Sequence, residues 1–200
     1  MDFQTSNSAK LIDKVGFALL HKGVVDSELI SRAIAVKERE SGNGQRSLAQ
    51  ILVSDFKVDH DAVFSEVAKV YAFKELRLDD GSMDERRLGF IKQMVDGLTS
   101  QQKQFVVDAK ALPWKYDEQV PDKLILIAAD PTHKNIPRVA YYFRARKYEV
   151  FFVRLSALQP HIESLLRTNN EYLDSLKDME GELQEGDFEH GIDEAALDQE

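Results

Sequence analysis

The sequence predicts an α+β fold: a four-helix bundle of two helix-turn-helix repeats, then a small α/β module of about three strands with helices, then an acidic flexible tail. Three observations carry this reading. Residues 14–70 hold one helical unit written twice. Sliding the copies by 33 positions places Leu52 on Leu19, Val53 on Leu20, Val58 on Val25, Asp59 on Asp26, Val63 on Ile30 and Val67 on Ile34. A unit repeated at this period cannot bury its apolar face alone and stacks on its copy, and two copies make a compact bundle, not a solenoid. Residues 79–85 are polar and turn-rich, and beyond them the apolar period changes. Residues 124–129, Leu-Ile-Leu-Ile-Ala-Ala, form a short apolar run of the kind buried on both faces of a sheet.

Taken in order, residues 1–9 read as a frayed start, and 10–78 as the helical repeat domain. Val15, Ala18 and Leu19 follow helical spacing over residues 10–21, with Leu11 and Ile12 before them. Gly23 stands where a helix C-terminus needs a positive φ. Asp26 and Asp59 read as N-caps of the second helix of each copy, and residues 41–44 as a break between copies. Phe73 and Leu76 are expected to close the bundle's open end. The linker is placed at 79–85 and the α/β domain at 86–167. Its first helix covers 85–98 with Leu88, Ile91, Met94 and Val95 as the apolar stripe. Residues 105–114 are expected as a strand, 135–147 as a helix with Pro137 in its first turn, 149–154 as a strand, and 156–167 as a helix capped by Ser156. Residues 168–200 are the tail.

Net charge sharpens the division. The whole chain carries −9, but residues 171–200 hold twelve Asp or Glu and one Lys, a local −11 that leaves +2 on residues 1–170. An acidic tail argues against nucleic acid as a partner, since phosphate binding runs on clustered Lys and Arg. The absence of cysteine removes disulfide and thiolate chemistry. There is neither a run of about 18 apolar residues nor a signal-peptide pattern at residues 1–8, so the sequence is read as cytoplasmic.

Catalytic chemistry is not legible. No G-x-x-x-x-G-K-[ST] loop is present, no G-x-S-x-G frames a serine, and the five His residues lack zinc spacing. The segment therefore reads as no enzyme, with no metal site. Lys134, Arg138, Arg144, Arg146, Lys147 and Arg154 interleave with Tyr141, Tyr142 and Phe143. A single-stranded nucleic-acid platform would combine such types, but a helix with aromatics on the sheet and cations in water explains them more simply.

The doubled unit resembles the N-terminal domain of type II secretion and type IV pilus assembly ATPases. In that family each copy reads approximately R-L-G-x-x-L-V-x-x-G, then a helix ending in A-L-x-x-Q, and a later strand ends in Ala-Asp-Pro. Here the first copy is Lys14-Val15-Gly16, Leu19-Leu20, Gly23, then Ala33-Ile34 with Lys37. The second is Ser47-Leu48-Ala49, Leu52-Val53, Phe56, then Glu66-Val67 with Val70, and Ala129-Asp130-Pro131 follows. The resemblance covers residues 10–167. It implies a non-catalytic docking and regulatory domain that binds the cytoplasmic domain of an inner-membrane assembly-platform protein. Membrane association would then be indirect, the tail would lead to an ATPase module supplying ATP and Mg sites, and any hexamer would belong to that motor.

The resemblance implies a second job, binding cyclic di-GMP, which would fall on Lys14, Gly16, Gly23, Lys37, Ser47 and Ala49. The substitutions weigh against it. An Arg fork binds phosphate bidentately and stacks on a base, whereas Lys offers a point charge and Ser neither property. A Gln amide pairs with a base edge, and Val70 cannot. Phe56 puts a ring where a Gly backbone would approach a ligand. Docking is the expected function; a cyclic di-GMP sensor and a free-standing adaptor are the alternatives.

Overall fold

Asp13 opens the first described helix by accepting from the Gly16 N–H at 2.8 Å, so α1 runs Lys14–His21. The computed structural model describes residues 13–40, 46–79 and 81–165. The expected frayed start, the break at 41–44 and the acidic tail from 168 onward lie outside the described residues. Gly23 takes φ +69°, and the N–H groups of Gly23 and Val24 return to the carbonyls of Leu20 and Leu19, which closes α1 as the sequence foretells. Asp26 caps α2 (Ser27–Arg39) through Leu29 N–H, and Asp59 caps α4 (His60–Val70) through Ala62 N–H, each at 2.7 Å. Between them α3 (Leu48–Ser54) starts with a reciprocal capping box of Ser47 and Gln50.

The apolar register read at 33 positions is the register of packing. Val15 and Leu48, Gly16 and Ala49, Leu19 and Leu52, Ile30 and Val63 are all buried. Phe73 is partly buried against this core. Leu76 does something else: its N–H donates to Phe152 O at 2.8 Å, while Phe152 N–H donates to Lys74 O. The chain leaving the bundle thus adds a bridge to a sheet edge, with Glu75 opposite Phe152.

That sheet has three strands, β1 (Ala111–Tyr116), β2 (Lys123–Ala128) and β3 (Lys147–Phe152), in the order β1-β2-β3. β1 and β2 form an antiparallel pair, and β2 and β3 a parallel one. Central β2 is buried along nearly its whole length, which is why its sequence is a continuous apolar run. The parallel crossover carries α7 (Ile136–Tyr142), with Pro137 in its first turn. The β1 ladder shifts register between Pro113 and Lys115. Arg87, on α5 (Glu85–Asp96), answers that irregularity by donating to Trp114 O at 2.6 Å and laying its guanidinium over the indole.

Three expectations are corrected. Residues 105–108 are not strand: α6 covers Ser100–Asp108, opened by a capping box of Thr99 and Gln102 that outweighs the β preference of Phe105-Val106-Val107. Lys110, at φ 45°, then turns the chain into β1. Ser156 is not the cap of the last described helix, which spans residues 155–165. The capping carboxylate is Asp61 on α4, which accepts from Leu155 N–H at 2.6 Å, from Ser156 N–H at 3.2 Å and from the Ser156 hydroxyl at 2.5 Å. Residues 79–85, expected as an interdomain linker, do not separate two bodies, since the described residues through Ile162 belong to one compact unit. Phe152 of β3 is fully buried within the bundle's own core cluster.

Candidate functional site

Asp13 gathers part of the candidate set. Beyond capping α1, its carboxylate lies 3.7 Å from Lys37 Nζ near the end of α2. Exposed Lys14, buried Gly16 and half-buried Lys37 therefore meet at one end of the first helix pair. Gly23 stands at the opposite end of α1, about 12 Å away by helix rise, and its backbone is committed to the turn. The Ser47 hydroxyl accepts from Gln50 N–H, and Ala49 is 3% exposed in the core. The six residues thus do not converge on one surface. The turn of the second copy also differs from expectation. Phe56 is not at the left-handed position; Lys57 is, at φ 57°, and Arg32 lies over the Phe56 ring.

Arg46, just before Ser47, has a guanidinium fully engaged. It bonds Glu40 through Nη2 and Nε, Asp55 through Nη1 and Nη2, and the Ser54 hydroxyl. This holds the Asp55 carboxyl at about 2 and lowers that of Glu40. An Arg so forked between two carboxylates offers little to a phosphate.

A cleft lies elsewhere, where α3 and the start of α4 face the α6–β1 turn and the end of β2. It encloses about 440 Å³. Of the six candidates only Ser47 borders it, among the described residues. Gln50 Nε2 crosses it to Asp130 Oδ2 at 2.8 Å. Asp130 is 6% exposed, and its other oxygen accepts from Thr132 N–H at 2.9 Å and the Thr132 hydroxyl at 2.6 Å. Its charge is therefore satisfied within the protein.

His60 stacks on Phe64 at 4.4 Å, and burial lowers its pKa. Its Nδ1 is 3.6 Å from Asp61, too far for a hydrogen bond. His133 is likewise lowered by burial, with Nδ1 accepting from Asn135 N–H. Lys110 and Lys134 line the same cleft and make no ion pair among the described residues. In the sequence these histidines are scattered and Asp130 ends an apolar run, and no signal within a few residues of any of them announces the cleft. Among the described residues no three His, Asp or Glu gather as metal ligands would, and no helix is long and apolar enough to cross a membrane.

No protein-family model matches the chain, and no curated protein matches its sequence. Solved structures do. The structure of MshE with cdg is similar at TM-score 0.51 and 14% identity, covering 76% of this chain and 99% of that one. The N-terminal domain of XpsE is similar at TM-score 0.49 and 19% identity, over 82% of this chain and 97% of that one. Another crystal form of that domain aligns at 0.41 and 17%. At such identities the likeness is one of fold, and to that extent it agrees with the resemblance carried by the doubled unit.

Proposed function

We propose that this chain is a non-catalytic docking and regulatory domain of a type II secretion or type IV pilus assembly ATPase. It binds the cytoplasmic domain of an inner-membrane platform protein. ATP and Mg act only through an ATPase module, and membrane association runs through the partner. The fold shared with MshE supports the family. The observation that favours docking over ligand sensing is the dispersal of the six candidate positions. Ser47 caps a helix, Ala49 is core, Gly23 is a turn, and only Lys14, Gly16 and Lys37 lie together. Meanwhile α1 presents a broad outward face, with Phe17 at 67% exposure beside Lys14, His21 and Lys22. Aromatic anchors amid charge are the material of protein interfaces.

The test is binding of the platform's cytoplasmic domain to the chain and to a Lys14→Glu/Lys22→Glu variant. Loss of binding in the variant is expected, and equal binding would remove the bundle face from the reading.

Cyclic di-GMP sensing is the second reading, favoured by one observation: the similar MshE structure carries cdg. Calorimetric titration separates the two. Saturable low-micromolar heat, abolished by Lys14→Ala with Lys37→Ala, would make the chain a sensor, whereas a flat trace leaves docking.

A further inference from the structure

The strand–helix–strand crossover carries a surface that the bundle-docking reading does not use. Residues 131–148 contain five Lys or Arg and no Asp or Glu. Within them Tyr141 is 77% exposed, the largest exposure among the outward-facing aromatic residues described. Tyr141, Tyr142, Arg144, Ala145 and Arg146 line a groove of about 480 Å³ against Gln102 of α6. Arg138 continues the same patch, since its guanidinium lies 4.8 Å over the Phe105 ring, which in turn packs on Tyr142. Arg138, Arg144 and Arg146 have no carboxylate partner among the described residues. By contrast, Arg46 is held by two carboxylates, Arg154 faces Glu75, and Arg87 donates to a backbone carbonyl.

We propose that the α6–α7 groove is a second docking surface, for an acidic, extended protein segment of a partner. The residue types point to protein. Tyr and Arg are the side chains most enriched where interfaces hold their binding energy, and a guanidinium takes a carboxylate bidentately. A bilayer surface would call for apolar side chains inserted below the headgroups, but Phe143 of this segment is buried and the outward rings are tyrosines. Single-stranded nucleic acid would call for rings laid out as a stacking platform. Here Tyr141 and Tyr142 are tilted by 57°, and Phe105 and Tyr142 by 56°.

The test uses the full chain and a fluorescein-labelled hexaglutamate peptide, read by anisotropy, with hexalysine as the reverse-charge control. Saturable binding is expected, weakening as salt rises because the contact is charge-led. Arg144→Glu with Arg146→Glu should weaken it about tenfold or more. Tyr141→Ser should weaken it a few-fold without changing its salt dependence. Circular dichroism melting checks that each variant is folded; if the double variant does not fold, Arg138→Gln carries the charge arm.

Equal binding by wild-type and charge variants, or none, overturns the proposal. So does tighter salt-sensitive binding of an oligothymidylate or of phosphatidylglycerol vesicles than of hexaglutamate. The platform-domain experiment is independent of this outcome. Binding lost only by the bundle variant leaves docking intact whatever the groove does, and failure of platform docking leaves the peptide result standing.

Discussion

The two helix pairs share an apolar register and differ at their polar ends. In α1–α2 the ends are self-contained: Asp13 caps and pairs with Lys37, and Gly23 takes the left-handed turn at no steric penalty. In α3–α4 the polar groups reach outward. Gln50 bonds Asp130, Asp61 caps the helix that follows β3, and Phe152 from β3 completes the core. The lesson is that the second copy is the seam of the molecule, with its polar groups spent on contacts to other elements. Ser47 caps α3 and Ala49 packs in the core, whereas Lys14 of the first copy is exposed.

The largest effect should come from the seam. Phe152→Ala removes a fully buried ring shared by sheet and bundle, at about 3–5 kcal/mol. Amide exchange should then show α1 and β2 losing protection together; protection retained by α1 alone would split what is here one unit. Next, Leu19→Ala and Leu52→Ala each remove a side chain with no exposure, and each should cost about 3 kcal/mol in denaturant unfolding. A large inequality between them would break the equivalence of the copies.

Asp61→Ala should cost about 1–2 kcal/mol, as loss of a helix cap does. Burial pushes the Asp61 carboxyl up, but the Ser156 hydroxyl and the N–H groups of Leu155 and Ser156 outweigh this and hold it below its usual 3.8. A depressed folded value means that the stabilisation is complete above the unfolded value and is lost as pH falls through the folded one. Wild type and Asp61→Ala should therefore differ at neutral pH and converge in acid, and a difference that persists in strong acid would assign the effect to packing.

The smallest effect has the opposite sign. Lys57 holds φ 57° where the first copy has Gly23, so Lys57→Gly should raise stability by about 1 kcal/mol despite the lost bond from Lys57 Nζ to Ser54 O. No gain in melting temperature would mean that this bond balances the backbone strain.

Much of this was legible residue by residue. Leu19 and Leu52 predicted their own burial, Asp26 and Asp59 their caps, Gly23 its turn, and the apolar run its place as the central strand. Within the strand expected at 105–114, residues 105–108 are helical because the Thr99–Gln102 capping box starts a helix that carries Phe105, Val106 and Val107 with it. Of the candidate positions, Gly16 and Lys37 both meet Asp13. Ser47 caps α3 and Ala49 packs inward, away from that meeting point.

What the sequence determined by itself are the features encoded within a turn or two of chain: helical period, caps, the left-handed glycine and the buried run. Those signals are local because one backbone turn senses only its near neighbours. Tertiary structure alone decided the bond from Gln50 to Asp130 across 80 residues and that from Leu155 to Asp61 across 94. It also decided the groove that Arg144 and Arg146 form against Gln102 and the entry of Phe152 into the helical core. These depend on which surfaces meet once both layers have formed, and a buried polar group finds its partner only where packing brings the two together.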